Sequence, residues 1–130
     1  MRRAPLAAVL LAAAIAGCGD DDEKSSGSAT VRAGLPVVVE GDEYSFKPGT
    51  ITVQGRGAKQ VPVRFELKNV GSLPHDLHVR RGDDELGGSE AIPDGETTTA
   101  TVTLAPGSYE IYCSIGDHAD LGMTGDLKVE

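Results

Sequence analysis

Apolar and polar positions alternate along much of this chain with a period of two residues. The clearest run spans 61–69, and its apolar side chains are Val61, Val63, Phe65 and Leu67. Because side chains of a strand point alternately to opposite faces, this pattern predicts a strand with one buried face. Similar runs predict seven further strands, at 36–39, 44–46, 51–53, 77–80, 99–104, 109–113 and 126–130.

Residues typical of turns separate these runs, such as Lys47-Pro48-Gly49, Pro93-Asp94-Gly95 and Ala105-Pro106-Gly107. No segment has a sustained apolar stripe at the spacing of a helix. About eight short strands at this spacing predict an all-β fold, either an antiparallel sandwich or a Greek-key barrel. We expect the acidic run 83–85 to be a solvated loop of that fold.

The first residues differ from the rest and predict export. Arg2 and Arg3 precede an apolar stretch at 6–16 that is too short to span a bilayer, which is typical of a signal peptide. The following residues, Ile15-Ala16-Gly17-Cys18, resemble the lipobox of bacterial lipoproteins, which implies cleavage before Cys18 and acylation of its sulfur. An ordinary signal peptide with a chance cysteine is the alternative interpretation.

Composition divides the chain into segments and excludes several classes of protein. We expect a signal peptide at 1–17, a lipidated cysteine with an acidic, serine-rich tether at 18–32, and one domain at 33–130. The formal charge of −8 argues against nucleic-acid binding, and two cysteines cannot form a disulfide scaffold. The expected location is the outer face of the cytoplasmic membrane or the periplasm, with the lipid as membrane anchor.

The segment 113–123 concentrates residues that bind soft metals. Cys113, His118 and Met123 are separated by four residues each, and Met123 is the only methionine besides the initiator. Thiolate, imidazole and thioether groups are the donors that copper prefers. His75 offers a fourth donor if it shares the inward parity of Leu77. The pattern therefore favours a copper site at one end of the barrel.

Each of these residues also has an ordinary structural explanation. Cys113 could be a buried thiol, Met123 a core residue and His75 a turn residue. Taken together, these explanations require three coincidences in one short loop and a fourth at a strand end, so the metal site is favoured. His78 has the opposite parity to His75, and we expect it to face solvent.

Residues 33–130 resemble the cupredoxins, the plastocyanin and azurin group of type 1 (blue) copper proteins. The matching motifs are Asn-x-Gly-x-x-Pro-His at 69–75, Pro-Gly-x-Tyr-x-x-Tyr-Cys at 106–113 and Cys-x4-His-x4-Met-x-Gly at 113–125. The resemblance implies one copper ion cycling between Cu(I) and Cu(II). It implies that the in-plane ligands are His75, Cys113 and His118, and that Met123 is the weak axial ligand. It also implies supporting roles for Asn69, Asp76 and Ser114, with Asp76 hydrogen-bonded to the backbone at Ser114.

The function implied by the resemblance is one-electron transfer between redox proteins, without enzymatic activity. Electrons would pass through the edge of His118, and partners would dock on a surrounding apolar patch formed by Leu73, Pro74, Ile115, Ala119 and Leu121. We expect a monomer whose acidic surface attracts a redox protein with a basic docking face. A copper oxidase would need a second histidine-rich site, and only His78 remains for one. Copper delivery or buffering by a lipoprotein is the alternative function.

Overall fold

The computed structural model describes residues 25–130, and this part consists of strands joined by turns and loops. Cys18, the predicted signal peptide and the first part of the predicted tether, up to residue 24, lie outside the described residues. None of residues 25–130 belongs to a helix that could cross a membrane. The strands are β1 (Ser28–Arg32), β2 (Val37–Asp42), β3 (Ser45–Lys47), β4 (Thr50–Gln54), β5 (Val61–Asn69), β6 (His78–Arg81), β7 (Asp84–Gly88), β8 (Thr97–Leu104), β9 (Gly107–Tyr112) and β10 (Thr124–Val129).

The strands form two sheets, and the predicted all-β architecture is confirmed. One sheet has six strands in the order β1-β4-β10-β9-β6-β7, and the other has four in the order β3-β2-β5-β8. Both sheets are mixed and not antiparallel throughout, because β1 with β4, β4 with β10, and β2 with β5 are parallel. A period of two reports which face of a strand is buried, and it carries no information about strand direction.

The core lies between the sheets and uses the positions that alternation predicts. In β5 the four predicted inward residues are at most 1% exposed, while Arg64 and Lys68 on the opposite face are exposed. Burying each such side chain contributes about 1.5–3 kcal/mol to the free energy of folding. The largest fully buried apolar side chains are Phe46, Phe65, Ile51, Leu67, Leu77, Ile111, Met123 and Leu127.

Two strands lie where the sequence predicts none. β1 pairs with β4 from Ser28 to Arg32, so the folded domain begins before the expected boundary at residue 33. Its residues are small or polar, and only Ala29 and Val31 are half-buried, so the alternation is faint. β7 covers part of the acidic run that we expected to be a loop, and it pairs with β6 as an exposed edge strand.

The ends of several strands converge at one end of the sandwich. β9 ends at Tyr112 and its antiparallel neighbour β10 begins at Thr124, so the loop 113–123 closes this end. β2 and β5 are parallel and both finish at the same end, at Asp42 and Asn69. A Cβ placed on Gly41 of β2 would lie 3.2 Å from the terminal methyl carbon of Met123, so the two sheets meet there.

Candidate metal centre

Pairing of β9 with β10 holds both ends of the loop 113–123 side by side. The Cys113 N–H donates a hydrogen bond to the Met123 carbonyl (3.1 Å), and the Met123 N–H donates to the His118 carbonyl (3.0 Å). Gly116 and Gly122 have positive φ angles of 48° and 117°, a region that favours glycine. The backbone therefore fixes the relative positions of the thiol, imidazole and thioether side chains.

His75 reaches the same place from the connection between β5 and β6. Its backbone forms an isolated bridge with Ile92, and its side chain is fully buried, as are those of Leu77 and Val79. The Asn69 side chain shapes this connection by donating to the carbonyls of Leu73 (2.8 Å) and Ile92 (3.0 Å). The expected inward parity of His75 is confirmed.

Three metal-binding side chains converge in the interior. One donor atom each from His75, Cys113 and His118 lies within 4.8 Å of the other two, and all three residues are buried. The Cys113 Sγ lies 4.0 Å from the His75 Nδ1 and 3.6 Å from the His118 Nδ1. Separations of this size leave room for one ion between the three atoms, and Met123, also fully buried, follows in the same loop.

Burial affects the protonation of Cys113. Removal from water raises the pKa of this thiol, and hydrogen bonds from the backbone of residues 76 and 115 only partly oppose that effect. Because the thiolate is the metal-binding form, metal uptake at neutral pH releases the thiol proton.

Asp76 joins the two segments that carry the donor side chains. Its Oδ1 accepts a hydrogen bond from the Ser114 N–H at 2.7 Å, and its Oδ2 accepts one from the Ser114 hydroxyl. Asp76 is 4% exposed and Ser114 is exposed, so the carboxylate end of these bonds is shielded from water. The contact expected between Asp76 and Ser114 is present in the structure.

Two residues at the site were not predicted from the sequence. The Tyr44 ring packs edge-on against His118 with 5.0 Å between ring centroids. The Glu43 carboxylate lies 2.9 Å from the His75 Nε2 and accepts hydrogen bonds from the backbone of Ser72 and Leu73. Glu43 follows β2 in an acidic turn, about thirty residues before these partners, and no spacing in the sequence links it to them.

His78 is less exposed than its parity predicts. Its side chain is only 19% exposed, its Nε2 lies 3.2 Å from the Asp76 Oδ2, and its Nδ1 contacts Glu85. The ring does point away from the core, but the β6–β7 hairpin covers it. A Cβ on Gly88 would lie only 2.4 Å from the His78 ring, so this cover depends on a glycine.

Three residues of the expected apolar patch lie in the loop of His118, and Leu73 and Pro74 directly precede His75, whose ring centroid lies 5.1 Å from that of His118. His118 is 8% exposed and His75 is fully buried, so His118 is the imidazole nearer to solvent. Leu73 and Leu121 are 40% and 47% exposed. Pro74 is exposed, and Ile115 and Ala119 are half-buried.

A family model for the cupredoxin-like domain matches residues 5–125. The chain belongs to this family. The cofactor of cupredoxins is one type 1 copper ion, and the residues of this cupredoxin-like domain fit it. Buried imidazole, thiolate and thioether donors are the set that type 1 sites use.

Solved structures share this fold. Auracyanin from Roseiflexus castenholzii matches at 17% identity and a TM-score of 0.62, covering 80% of this chain and 99% of that one. Auracyanin A from Chloroflexus aurantiacus, described as a blue copper protein, matches at 19% identity and a TM-score of 0.61, covering 80% of this chain and 100% of that one. Rusticyanin from Thiobacillus ferrooxidans matches at 25% identity and a TM-score of 0.57, covering 82% of this chain and 85% of that one. No curated relative matches the chain.

Proposed function

We propose that this cupredoxin-like protein is a one-electron carrier whose copper ligands are His75, Cys113, His118 and Met123. The observation that carries the proposal is the convergence of three buried donor atoms within 4.8 Å of one another. When bound there, copper supplies a couple between Cu(I) and Cu(II). Auracyanin A, which shares the fold, is described as a blue copper protein, and blue copper sites transfer electrons, which supports the same function.

The protein's part in electron transfer is to keep the donor atoms in place. Cys113 and Met123 are fixed by the pairing of β9 with β10, and His75 by its bridge to Ile92. Closely packed interiors resist displacement of their side chains. A site held this way changes little between two oxidation states, and small rearrangement favours fast electron transfer.

The surface around His118 suits brief encounters with another redox protein. Leu73 and Leu121 expose apolar side chains. Asp117 and Asp120, which lie in the loop 113–123 with His118, are also exposed. Weak redox complexes use small interfaces, and charge mainly affects how fast they form. We therefore propose a partner with an apolar contact surrounded by basic residues.

We also propose that the protein is exported and anchored to the membrane through a lipid on Cys18. The end of the sandwich that carries the loop 113–123, here called the copper end, would then lie close to the membrane. The Phe46 N–H donates a hydrogen bond to the Ser25 Oγ at 2.8 Å, and Ser25 shares a surface cavity with Gly122 and Thr124, which flank Met123. Ser25 follows Cys18 by seven positions. An extended chain of that length reaches at most about 25 Å, so the tether would keep the copper end near the bilayer.

Spectroscopy and voltammetry of the purified, copper-loaded domain test the electron-carrier proposal. We expect one copper per chain, an intense visible band from thiolate-to-copper charge transfer, and reversible one-electron cycling. Cys113→Ser removes the thiolate and is expected to abolish the band while the apo domain stays folded. Retention of the band in that variant would refute the assignment of Cys113.

The same measurements distinguish electron transfer from copper delivery. A delivery or buffering protein would bind Cu(I), transfer it readily to a competing chelator or acceptor protein, and lack a stable oxidised coloured form. Irreversible voltammetry together with rapid loss of Cu(I) would therefore contradict the electron-carrier proposal and support delivery.

Fractionation of the full-length protein in a bacterial host tests the anchor. Cys18→Ala removes the sulfur that would carry the lipid, and we expect the protein to move from the membrane fraction to the soluble exported fraction. Ser25→Ala is the matched control, because it lies beyond the proposed acylation site and should leave fractionation unchanged. Membrane association that survives Cys18→Ala would refute anchoring through this residue.

A further inference from the structure

Glu43 places a carboxylate directly behind His75. Its two oxygens accept hydrogen bonds from the Ser72 N–H at 2.9 and 3.1 Å, and one of them accepts from the Leu73 N–H at 2.8 Å. The same oxygen lies 2.9 Å from the His75 Nε2. The Glu43 side chain is 25% exposed, whereas His75 is fully buried, so this carboxylate lies between the imidazole and solvent.

The hydrogen bonds of Glu43 use its carboxylate as an acceptor. Both oxygens accept from backbone N–H groups of Ser72 or Leu73, and a glutamate side chain is ordinarily ionised at neutral pH. An ionised carboxylate can only accept hydrogen bonds. The proton in the contact between Glu43 and His75 therefore belongs to the His75 Nε2.

This fixes the tautomer of His75. A neutral imidazole with its proton on Nε2 has an unprotonated lone pair on Nδ1. The His75 Nδ1 is the atom that lies 4.0 Å from the Cys113 Sγ and faces the interior. Glu43 thus holds the imidazole with its available nitrogen directed toward the proposed copper position.

Gly71 makes room for this arrangement. A Cβ on Gly71 would lie 2.4 Å from one Glu43 carboxylate oxygen and 2.8 Å from the other, which is closer than unstrained contact allows. The segment 71–73 therefore wraps around the carboxylate, with a glycine at the point of closest approach and two N–H donors after it.

We propose that Glu43 is a positioning residue for the copper ligand His75, and that its negative charge lowers the reduction potential of the bound copper. The proposal rests on the ligand set given under the proposed function. An anion next to a metal-binding imidazole raises the basicity of the imidazole and stabilises the more highly charged metal ion. Glu43 therefore favours Cu(II) over Cu(I).

Replacement of the charge tests the effect on potential. Glu43→Gln keeps the size of the side chain and an oxygen that can accept from His75, but it removes the charge. We expect the variant to retain copper and its visible band. We also expect its preference for Cu(I) over Cu(II) to rise about tenfold, which makes the reduction potential more positive by about 59 mV for one electron. Glu40→Gln removes an exposed charge of β2 and is the matched control.

Gly71→Ala tests the same contact without changing any charge on the protein. The added methyl group displaces the carboxylate, so we expect the reduction potential of Gly71→Ala to become more positive as well. In the double variant of Gly71→Ala and Glu43→Gln, the shift in potential should be smaller than the sum of the two single shifts. If Glu43→Gln shifts the potential no more than Glu40→Gln does, or if the two shifts simply add, the proposal is overturned.

Nitrogen NMR of the copper-free protein separates this proposal from the ligand assignment. We expect His75 to be protonated on Nε2 in the unmodified protein, and the tautomer preference to be lost in Gly71→Ala. A His75 protonated on Nδ1 would overturn the role of Glu43 whether or not copper binds. If the tautomer is as expected but the loaded protein lacks a coloured form, the proposed function fails and the positioning contact remains.

Discussion

At the scale of single residues, the metal centre is formed by side chains whose freedom is already limited. His75, Cys113 and Met123 are at most 1% exposed, and His118 is 8% exposed. Each is held by strand pairing or by backbone hydrogen bonds of its own segment, which limits movement of the donor atoms. Substitutions at these positions therefore test the electronic role of a side chain separately from its packing.

Met123→Leu tests the proposed role of Met123 as a weak axial ligand of the copper. Leucine conserves the volume of methionine, so we expect the apo domain to lose less than about 1.5 kcal/mol of stability. Copper should stay bound by the other donors, and loss of the thioether should shift the potential to more positive values, because a donor that stabilises Cu(II) is removed. Voltammetry and metal analysis measure both effects, and complete loss of copper would contradict a weak axial role for Met123.

Glu43 also gives the copper-free domain a defined pH dependence. The pKa of Glu43 is lowered from 4.5 to about 2 in the folded state, so its ionised form stabilises folding above pH 4.5. As the pH falls from about 4.5 toward 2, this contribution is lost. We expect the stability difference between the unmodified apo domain and Glu43→Gln to shrink over that interval in denaturant titrations. A difference that grows toward low pH would contradict the ionised contact.

At the scale of elements, two connections meet and are joined by one carboxylate. The segment from β5 to β6 carries His75, and the loop from β9 to β10 carries the remaining donors. Asp76 is the clearest link between them, through both the backbone and the hydroxyl group of Ser114. The arrangement of the centre thus depends on the relative position of two elements and on their individual conformations.

Asp76→Ala removes this link and Asp76→Asn largely preserves it. The asparagine oxygen can still accept from the Ser114 N–H, and its amide can donate to the Ser114 hydroxyl group. Hydrogen bonds that involve charged or buried groups are worth about 1–3 kcal/mol, so we expect a loss of that size for alanine and a smaller loss for asparagine. Chemical denaturation of the apo domain measures both. Equal stability of the alanine variant and the unmodified domain would show that the link is unimportant.

Elements that bury an apolar face are predictable from the sequence, and those at the edges are not. β5 follows the predicted bounds because its inward residues are large and regularly spaced. β1 and β7 have small, polar or acidic residues and are stabilised by pairing with β4 and β6, which only the fold supplies. The loop 113–123 was recognisable because its donor residue types are rare in this chain. Glu43 was not, because its partners are distant in sequence.

At the scale of the whole molecule, charge affects how partners approach. The chain carries a formal charge of −8, and Asp117 and Asp120 are exposed beside His118. Exposed charges act over about 30 Å at 0.01 M ionic strength and about 8 Å at 0.15 M. The acidic surface should therefore speed encounters with basic redox proteins at low salt and lose this effect as salt is added.

Stopped-flow electron transfer to a basic c-type cytochrome measures this effect. We expect the rate to fall at least several-fold between 0.01 and 0.15 M salt, because steering raises association rates by about 10-fold or more. Asp120→Asn should reduce both the rate at low salt and its salt dependence. Asp83→Asn, at the β6–β7 turn away from the centre, is the control and should change them less. A rate that rises with salt would contradict acidic steering.

The most direct test of the central claim is a crystal structure of the copper-loaded domain with anomalous data at the copper edge. The account predicts a single copper peak between the His75 Nδ1, the His118 Nδ1 and the Cys113 Sγ, with the Met123 sulfur as a longer fourth contact. A copper peak elsewhere on the molecule, or full copper occupancy without Cys113 as a ligand, would contradict it.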